Sequence, residues 1–533
     1  MSSGLVDTKP CATVTDMSRR FKTVDYAASL DQTVRLGDIL PPDHLARFLV
    51  DAITQLDLQP LYRRYGPRGG EAYAPEVLLG LLLYGYATGV FSSRKLEQAT
   101  YESVPFRFLA GGLHPDHDTI AHFRTSFLAE LQAFFVEVLL LAQAVGLLQL
   151  GDISLDGTKV RADASKSKAV SYKRAGELIA QLEAEVAELF ALAEQADQAA
   201  LPAGVDVAAE IARREERLAR LAEAKAVLEA RAKERDAQEQ AAYAAKVRER
   251  EEKTRRTGRK PRGRPPTPPT PGPRDTDQYN FTDPESRIMK NPTNAGFDQH
   301  YNAQLAVDQA SLFIVGQGVS AHPTDQDEVV PTVESIPAQV GTPTTAALDT
   351  GYFSAPNIRA LEERGIDPYI ATGRTGHHQG WRAYCLPQVA LPPPEDASPK
   401  EKMAYKLQTA VDRAVYRRRK CTVEPVFGSL KEVRGFRQFS LRRLIALRGE
   451  WCLVCVAHNL KRLHTLLRAQ GRALPGATLY GLVLVGAWTA VLVAAARRAF
   501  LGARHVSPCF VRLIIGCVCG LGARRGLFSP TGC

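Results

Sequence analysis

The chain has few cysteines near one another. Nine are scattered over 533 residues, and only Cys452/Cys455 and Cys517/Cys519 are closely spaced. No second pair stands at zinc-ribbon distance, which argues against a structural zinc site and against a disulfide framework. Unpaired thiols fit a reducing compartment, and the opening stretch MSSGLVDTKPCATV lacks the apolar core of a signal peptide. Both absences place the chain in the cytoplasm. Acidic excess is also missing: 68 Lys+Arg face 58 Asp+Glu, for a net charge of +10. That balance points to a polyanionic partner, nucleic acid before a membrane surface. With 45% hydrophobic and 24% charged residues, the composition is that of a globular protein of roughly two to four domains.

Residues 1–40 are polar and weakly patterned and read as a flexible arm. From Pro41 the pattern becomes helical. Asp43 is placed to cap a helix carrying Leu45, Phe48, Leu49 and Ile53, and YAPEVLLGLLLYGYATG reads as a buried apolar helix. After the Gly89 turn, Ser92 and Ser93 can open a polar helix with Arg94 and Lys95 exposed early. The arrangement is helix-turn-helix-like; a DNA-binding unit and an ordinary bundle with solvated charges both satisfy it. Asp116 or Asp118 is expected to cap one long helix through Phe123, Phe127, Leu131, Phe134 and Leu141. Residues 41–150 are thus an all-α unit.

Between Gly151 and Ala162 the period shifts to alternation, which predicts a strand with Asp156 at its end. A helical hairpin then interrupts the pattern. Ile179, Leu182, Val186 and Leu189 face Ile211, Leu218, Leu221 and Leu228 across a break at Pro202 and Gly204, the spacing of a coiled-coil seam. Residues 246–264 hold ten basic and three acidic residues, and a proline-rich stretch extends the insertion to 171–275. Arg262-Gly263-Arg264-Pro265 resembles the core of an AT-hook, in which arginines lie along a narrow minor groove; a solvated basic linker is the plainer reading.

Beyond the linker, HYNAQLAVDQASLFIVGQGVSA reads as two strands joined by a turn, and PTTAALDTGYFS as a short buried strand ending at Asp349. A helix stopped by Gly365 and the strand DPYIAT follow, giving a mixed sheet with flanking helices. Ser398 to Glu401 form a capping box. The class is multidomain α+β.

Three carboxylates stand out by context: Asp156 in LDGTK, Asp349 in ALDTGYFS, and Glu424 in TVEPVFGSLK, where Pro425 marks a first helical turn. Carboxylates converging on a sheet edge suit Mg²⁺, with Mn²⁺ as a substitute. Two such ions about 4 Å apart would serve phosphodiester displacement. A lone Asp at a strand end is usually a turn former, so the neighbours decide. Lys431 follows Glu424 by seven residues, two turns along one face, and residues 412–448 hold eleven basic against three acidic residues. His322 sits in a polar turn and His377-His378 in a loop, neither patterned as a metal site, and Cys452 and Cys455 read as core residues.

The stretches YAPEVLLGLLLYGYATGVFSSRKLEQA, HDTIAHFR, LDGTK, DPESRIMK, YNAQLAVD, ALDTGYFS, RKCTVEPVFGSLKEVRGFRQFSLR and WCLVCVAHNLKRL, in that order over residues 43–470, resemble the DDE transposases of bacterial insertion sequences. The resemblance implies an RNase H-like domain over 151–470, split by the insertion. It also implies a metal-binding triad of Asp156, Asp349 and Glu424, and cut-and-paste transposition of DNA. Lys431 becomes the basic residue following the glutamate. Relatives space Tyr, Arg, Glu and Lys regularly; here Lys420 holds the slot four before Glu424, while Arg419 and Tyr416 are displaced by one. Which basic side chain meets phosphate is therefore open. Expected partners are the terminal inverted repeats and target DNA, with a homodimer or higher oligomer pairing two ends and no small-molecule cofactor. The rival readings are a purely hydrolytic nuclease, a catalytically inactive DNA-binding remnant or repressor, and a membrane-anchored scaffold. The last rests on the uncharged run 479–496 in the atypical tail 471–533.

Overall fold

A computed structural model describes residues 35–66, 71–196, 206–261, 263–291, 296–373, 392–394 and 397–475. The expectations for Arg262, His377-His378, the arm before residue 35 and the apolar run 479–496 lie outside the described residues. Among the described residues no single helix is long and apolar enough to cross a membrane.

The five longest helices ahead of the sheet are α1 (Leu45–Ile53), α2 (Pro75–Thr88), α3 (Ser93–Glu102), α4 (His117–Ser126) and α5 (Leu128–Ala144). Helix α2 has no polar face, and accordingly it is buried almost all round. It ends at Gly89, whose φ of +92° and 2.7 Å approach of an ideal Cβ to the Arg434 carbonyl both demand glycine. Two local expectations are corrected. His44, not Asp43, caps α1, its Nδ1 accepting from Ala46 N–H at 3.1 Å, while Asp43 pairs with Arg468 at 2.7 Å. The single helix expected beyond Asp116 bends by 73° between α4 and α5. At the break, Phe127 is drawn inward against Phe123, ring centroids 4.6 Å apart.

The sheet follows: β1 (Asp152–Arg161), β4 (Arg287–Lys290), β5 (Phe297–Asp308), β6 (Ile314–Ser320), β7 (Thr345–Leu348) and β8 (Asp367–Ile370), in the order β4-β5-β1-β7-β8 with β6 also paired to β5. β1 runs antiparallel to β5 and parallel to β7. Helices α8 (Ala355–Glu363), α9 (Pro399–Lys406), α10 (Ala410–Arg418), α11 (Val423–Gly428) and α12 (Leu444–Ala469) complete the chain. The expected capping box at Ser398 is present at the start of α9. α12 packs on α5, β6 and α2, so the opening helices and the sheet share one hydrophobic core. A buried carboxylate ties them further: Glu450, fully buried, accepts from the Tyr86 hydroxyl at 3.0 Å and from the N–H groups of Ser440 and Leu441. Such burial is tolerable only because its lone pairs are met.

Between β1 and β4, a hairpin of α6 (Tyr172–Ala196) and α7 (Val207–Thr257) stands on a two-stranded neck, β2 (Ala169–Ser171) with β3 (Gln278–Asn280). Val170, Ala175, Leu182, Leu221, Ala224, Leu228 and Tyr279 form a second core separate from the first. At 1.5 Å per residue, the 51 residues of α7 extend roughly 75 Å. The proline-rich stretch is extended as expected but lies strapped along this helix. Arg250 donates to the carbonyls of Pro261 and Gly263, Asp236 accepts from Gly272 N–H, and Arg235 makes a bidentate pair with Asp277.

Candidate active site

Register explains how two distant aspartates meet. In the parallel pair of β1 and β7, Ser154 is level with Ala347. Two residues beyond that last pair stand Asp156, still within β1, and Asp349, just past the end of β7. β7 ends at Leu348, whereas β1 continues to Arg161 against β5. Asp156 is therefore in mid-strand, not at the strand end expected from the alternation. It lies just past the point where its parallel neighbour peels away and a cleft opens. Asp349 caps the turn Thr350–Tyr352, its Oδ1 accepting from Gly351 N–H at 2.5 Å.

Alternation along β1 puts Gly157 on the opposite face from Asp156, level with Gln304. An ideal Cβ at Gly157 would lie 2.3 Å from Gln304 Nε2 and 2.7 Å from Asp325 Oδ1. The missing side chain thus admits a fourth carboxylate. Asp325 Oδ1 accepts from Asn302 Nδ2 at 2.6 Å and from Gln304 Nε2 at 3.0 Å, with Lys159 Nζ at 3.8 Å. Its Oδ2 lies 3.8 Å from the ideal Cβ position of Gly351, which is 3.0 Å from Asp349 Oδ1. The buried Tyr352 hydroxyl donates to Gln304 Oε1 at 2.5 Å and completes the support. Asp325 escaped the sequence reading because it is one of three acids in a turn (Asp325, Asp327, Glu328). The available signal was Asn302 and Gln304, polar at period two inside an apolar strand.

Arg419 joins the carboxylates. Buried at 8% exposure, it donates from Nη1 to Asp156 Oδ2 at 3.0 Å, and its Nη2 lies 3.6 Å from Glu424 Oε1. Tyr416 stands beside it in the preceding turn, near enough to interact with its charge. The short helix α11 that carries the exposed Glu424 is pinned to the sheet by Thr422, whose hydroxyl donates to Ser154 Oγ at 2.7 Å, on the Asp156 face. Burial pushes the Asp156 carboxyl up to about 6; Arg419 pulls the other way, and Asp349 and Asp325 repel it further. Four carboxylates, Asp156, Asp325, Asp349 and Glu424, with Arg419 and Lys159 as the cations beside them, form a site short of positive charge.

Lys431 falls in a π-helical turn, Ser429–Val433, rather than two α-turns beyond Glu424. Its ammonium donates to Thr158 Oγ1 at 2.7 Å and to the Lys159 carbonyl at 2.8 Å, along the face of β1 that carries Asp156. Lys420 is exposed and Arg419 is the cation that reaches the acids. Arg264 is exposed beside the strapped segment, and Arg94 and Lys95 are exposed in the first turn of α3, which meets α2 at 97°. The donor set at the cleft is hard carboxylate oxygen, the chemistry of a cation that uses few protein ligands and keeps several waters. Among the described residues no group of three or more Asp, Glu, His or Cys side chains stands close enough to hold a metal ion as placed.

Residues 34–126 match the family model described as Transposase domain (DUF772), and residues 271–460 match the Transposase DDE domain. Asp325, Asp349, Arg419 and Glu424 fall inside the second match; Asp156 lies between the two matches, ahead of the insertion. No curated protein and no solved structure is significantly similar to the chain. The two matched domains, in this order, carry one conclusion: the chain belongs to the DDE transposases of the insertion-sequence type.

Proposed function

We propose that this transposase cuts and rejoins DNA at the ends of its element by phosphodiester displacement, with Asp156, Asp349 and Glu424 as the carboxylates that hold divalent cations. The observation that carries the reading is Arg419 spanning Asp156 and Glu424, with Asp349 just past the end of β7, near enough to repel the Asp156 carboxyl. Mg²⁺, or Mn²⁺ in its place, would supply Lewis-acid stabilisation of the attacking and leaving oxygens. The chain's own residues set the stage. Arg419 offsets carboxylate repulsion before a cation arrives, and Thr422 fixes the height of Glu424 against the sheet. Asn302 and Gln304 hold Asp325 beside Asp349.

In this reading residues 151–470 are an RNase H-like domain, supported by the central β1 running antiparallel to β5 and parallel to β7. The hairpin and strapped segment over 171–275 are its coiled-coil insertion, and residues 41–150 are the helical DNA-binding part. The 97° crossing of α2 and α3 fits a helix-turn-helix, with Arg94 and Lys95 toward DNA. Lys431, Lys420 and Arg264 would contact backbone phosphate. The partners are the two terminal repeats and target DNA, paired by a homodimer or higher oligomer.

Excision and reinsertion of a marked element tests the reading. Wild type is expected to move the marker and yield strand-transfer products, while Asp156→Asn and Glu424→Gln, which keep side-chain size but lose a ligand charge, are expected to do neither. A wild type that binds the ends yet neither cuts nor joins them would overturn the proposal.

A further inference from the structure

The motif WCLVCVAHNLKRL on α12 is only partly explained by packing. Asn459 grips both backbone groups of Ile314, but His458, Lys461 and Arg462 line a cavity of about 210 Å³ with Arg434, Ser429, Thr465, Leu312, Pro425 and Val426. The last two and Ser429 belong to the helix of Glu424 or adjoin it, so the cavity lies against that helix. Among the described residues no carboxylate lines it.

Arg434 is the anomaly. It is 7% exposed, and its Nε and Nη1 are buried without a hydrogen-bond partner among the described residues. Only Nη2 is met, by His458 Nδ1 at 3.2 Å. His458 offers no negative charge: burial and the adjacent Arg434 lower its pKa to about 3, so Nδ1 accepts and Nε2 faces the Leu312 carbonyl at 3.4 Å. Lys461 and Arg462 each bind one backbone carbonyl, of Ala87 at 2.9 Å and Ser311 at 2.7 Å. An ammonium carries three donors and a guanidinium five, so most of theirs remain for another acceptor. A buried cation normally has a paired anion, because an uncompensated charge in the interior is strongly destabilising. Three cations and the Ser429 hydroxyl around a cavity several times the roughly 30 Å³ share of a water molecule are complementary to a tetrahedral oxyanion, while the Thr465 hydroxyl is taken by the Lys461 carbonyl.

We propose that this cavity binds a phosphate group, positioned by Arg434, Lys461 and Arg462 behind the helix of Glu424. The group is either a DNA backbone phosphate, a source that rests on the proposed function above, or a free phosphate acting on that helix.

The full-length protein in metal-free buffer is titrated with sodium phosphate against sodium chloride of equal ionic strength. Its melting temperature is followed for wild type, for Lys461→Gln/Arg462→Gln and for Arg434→Met. Phosphate is expected to raise the melting temperature of wild type and to lose that effect in both variants. The double variant alters half-buried rim positions and keeps the test meaningful should Arg434→Met misfold. In the second arm, affinity for an element-end duplex is measured against salt. A slope of log K on log salt shallower by about 0.9 in the double variant assigns the site to one backbone phosphate. An unchanged slope with a lost phosphate response assigns it to the free ion. No phosphate response in wild type, with duplex binding unaltered by the double variant, would overturn the proposal. Neither arm involves catalysis, so an inactive transposase and an empty cavity give different results.

Discussion

Replacing Arg419 with leucine separates charge compensation from catalysis. Arg419 and Asp156 are largely buried, with side chains 9% and 22% exposed and a 3.0 Å contact. Removing one partner of a buried pair costs about 3–5 kcal/mol. Asp156 keeps its bond from Gly157 N–H at 2.8 Å and some solvent, which favours the lower end, about 3 kcal/mol. For a chain of this size the loss corresponds to a melting temperature lower by about 3 °C in EDTA. Divalent cation should then do what the guanidinium did. At a hundred times its dissociation constant it adds about 2.7 kcal/mol and restores most of the loss. In wild type the same cation must displace Arg419 from Asp156 and shifts the melting temperature less. Thermal denaturation by circular dichroism, in EDTA and in Mg²⁺, reads both effects. An unchanged melting temperature in EDTA, or a Mg²⁺ response no larger than that of wild type, would refute the account.

Gly157→Ala should leave the fold intact but push Gln304 and Asp325 aside, since a Cβ there meets them at 2.3 and 2.7 Å; strand transfer is expected to fall with little change in far-ultraviolet dichroism, and retained activity would contradict the role given to Asp325. His322, whose Nδ1 is 2.8 Å from Glu328 Oε1, has its pKa raised above 6.5 chiefly by that hydrogen bond. The stabilisation is complete below pH 6.5 and lost as pH rises through the higher folded value. Proton NMR should find His322 titrating above 6.5, and back toward 6.5 in Glu328→Gln. Leu182→Ala or Leu228→Ala, in the core of the hairpin, should cost about 2–5 kcal/mol locally, seen as faster proteolysis of residues 172–257 while the sheet stays protected; uniform destabilisation would mean that the two cores are not separate.

The local elements were legible in the chain because their signals are local. Alternation marked β1, two strand-like runs joined by a turn marked β5 and β6, the apolar run ahead of the Gly89 turn marked α2, and the apolar spacing of Ile179 to Leu228 marked the hairpin. Asp156, Asp349 and Glu424 were readable as candidates for the same reason: each stands at a transition in pattern. The break at Phe127 was not readable, because it depends on a ring finding Phe123 across a bend. The strapping of the proline-rich stretch onto α7 depends on ion pairs between residues tens of positions apart, such as Arg235 and Asp277.

What the sequence by itself determined is therefore the inventory: a basic chain with helical and strand segments in a fixed order, and acids, arginines and glycines at stated positions. The tertiary structure alone decided which of them meet. Parallel pairing of β1 with β7 brought Asp349, at the end of β7, toward Asp156, the absent side chain of Gly157 let Asp325 in from the other face, and the turn before Glu424 aimed Arg419 rather than Lys420 at the acids. It also left Arg434 buried without a counter-charge. These are consequences of distance and dielectric, which arise only when segments far apart in the chain are brought together in a low-dielectric interior.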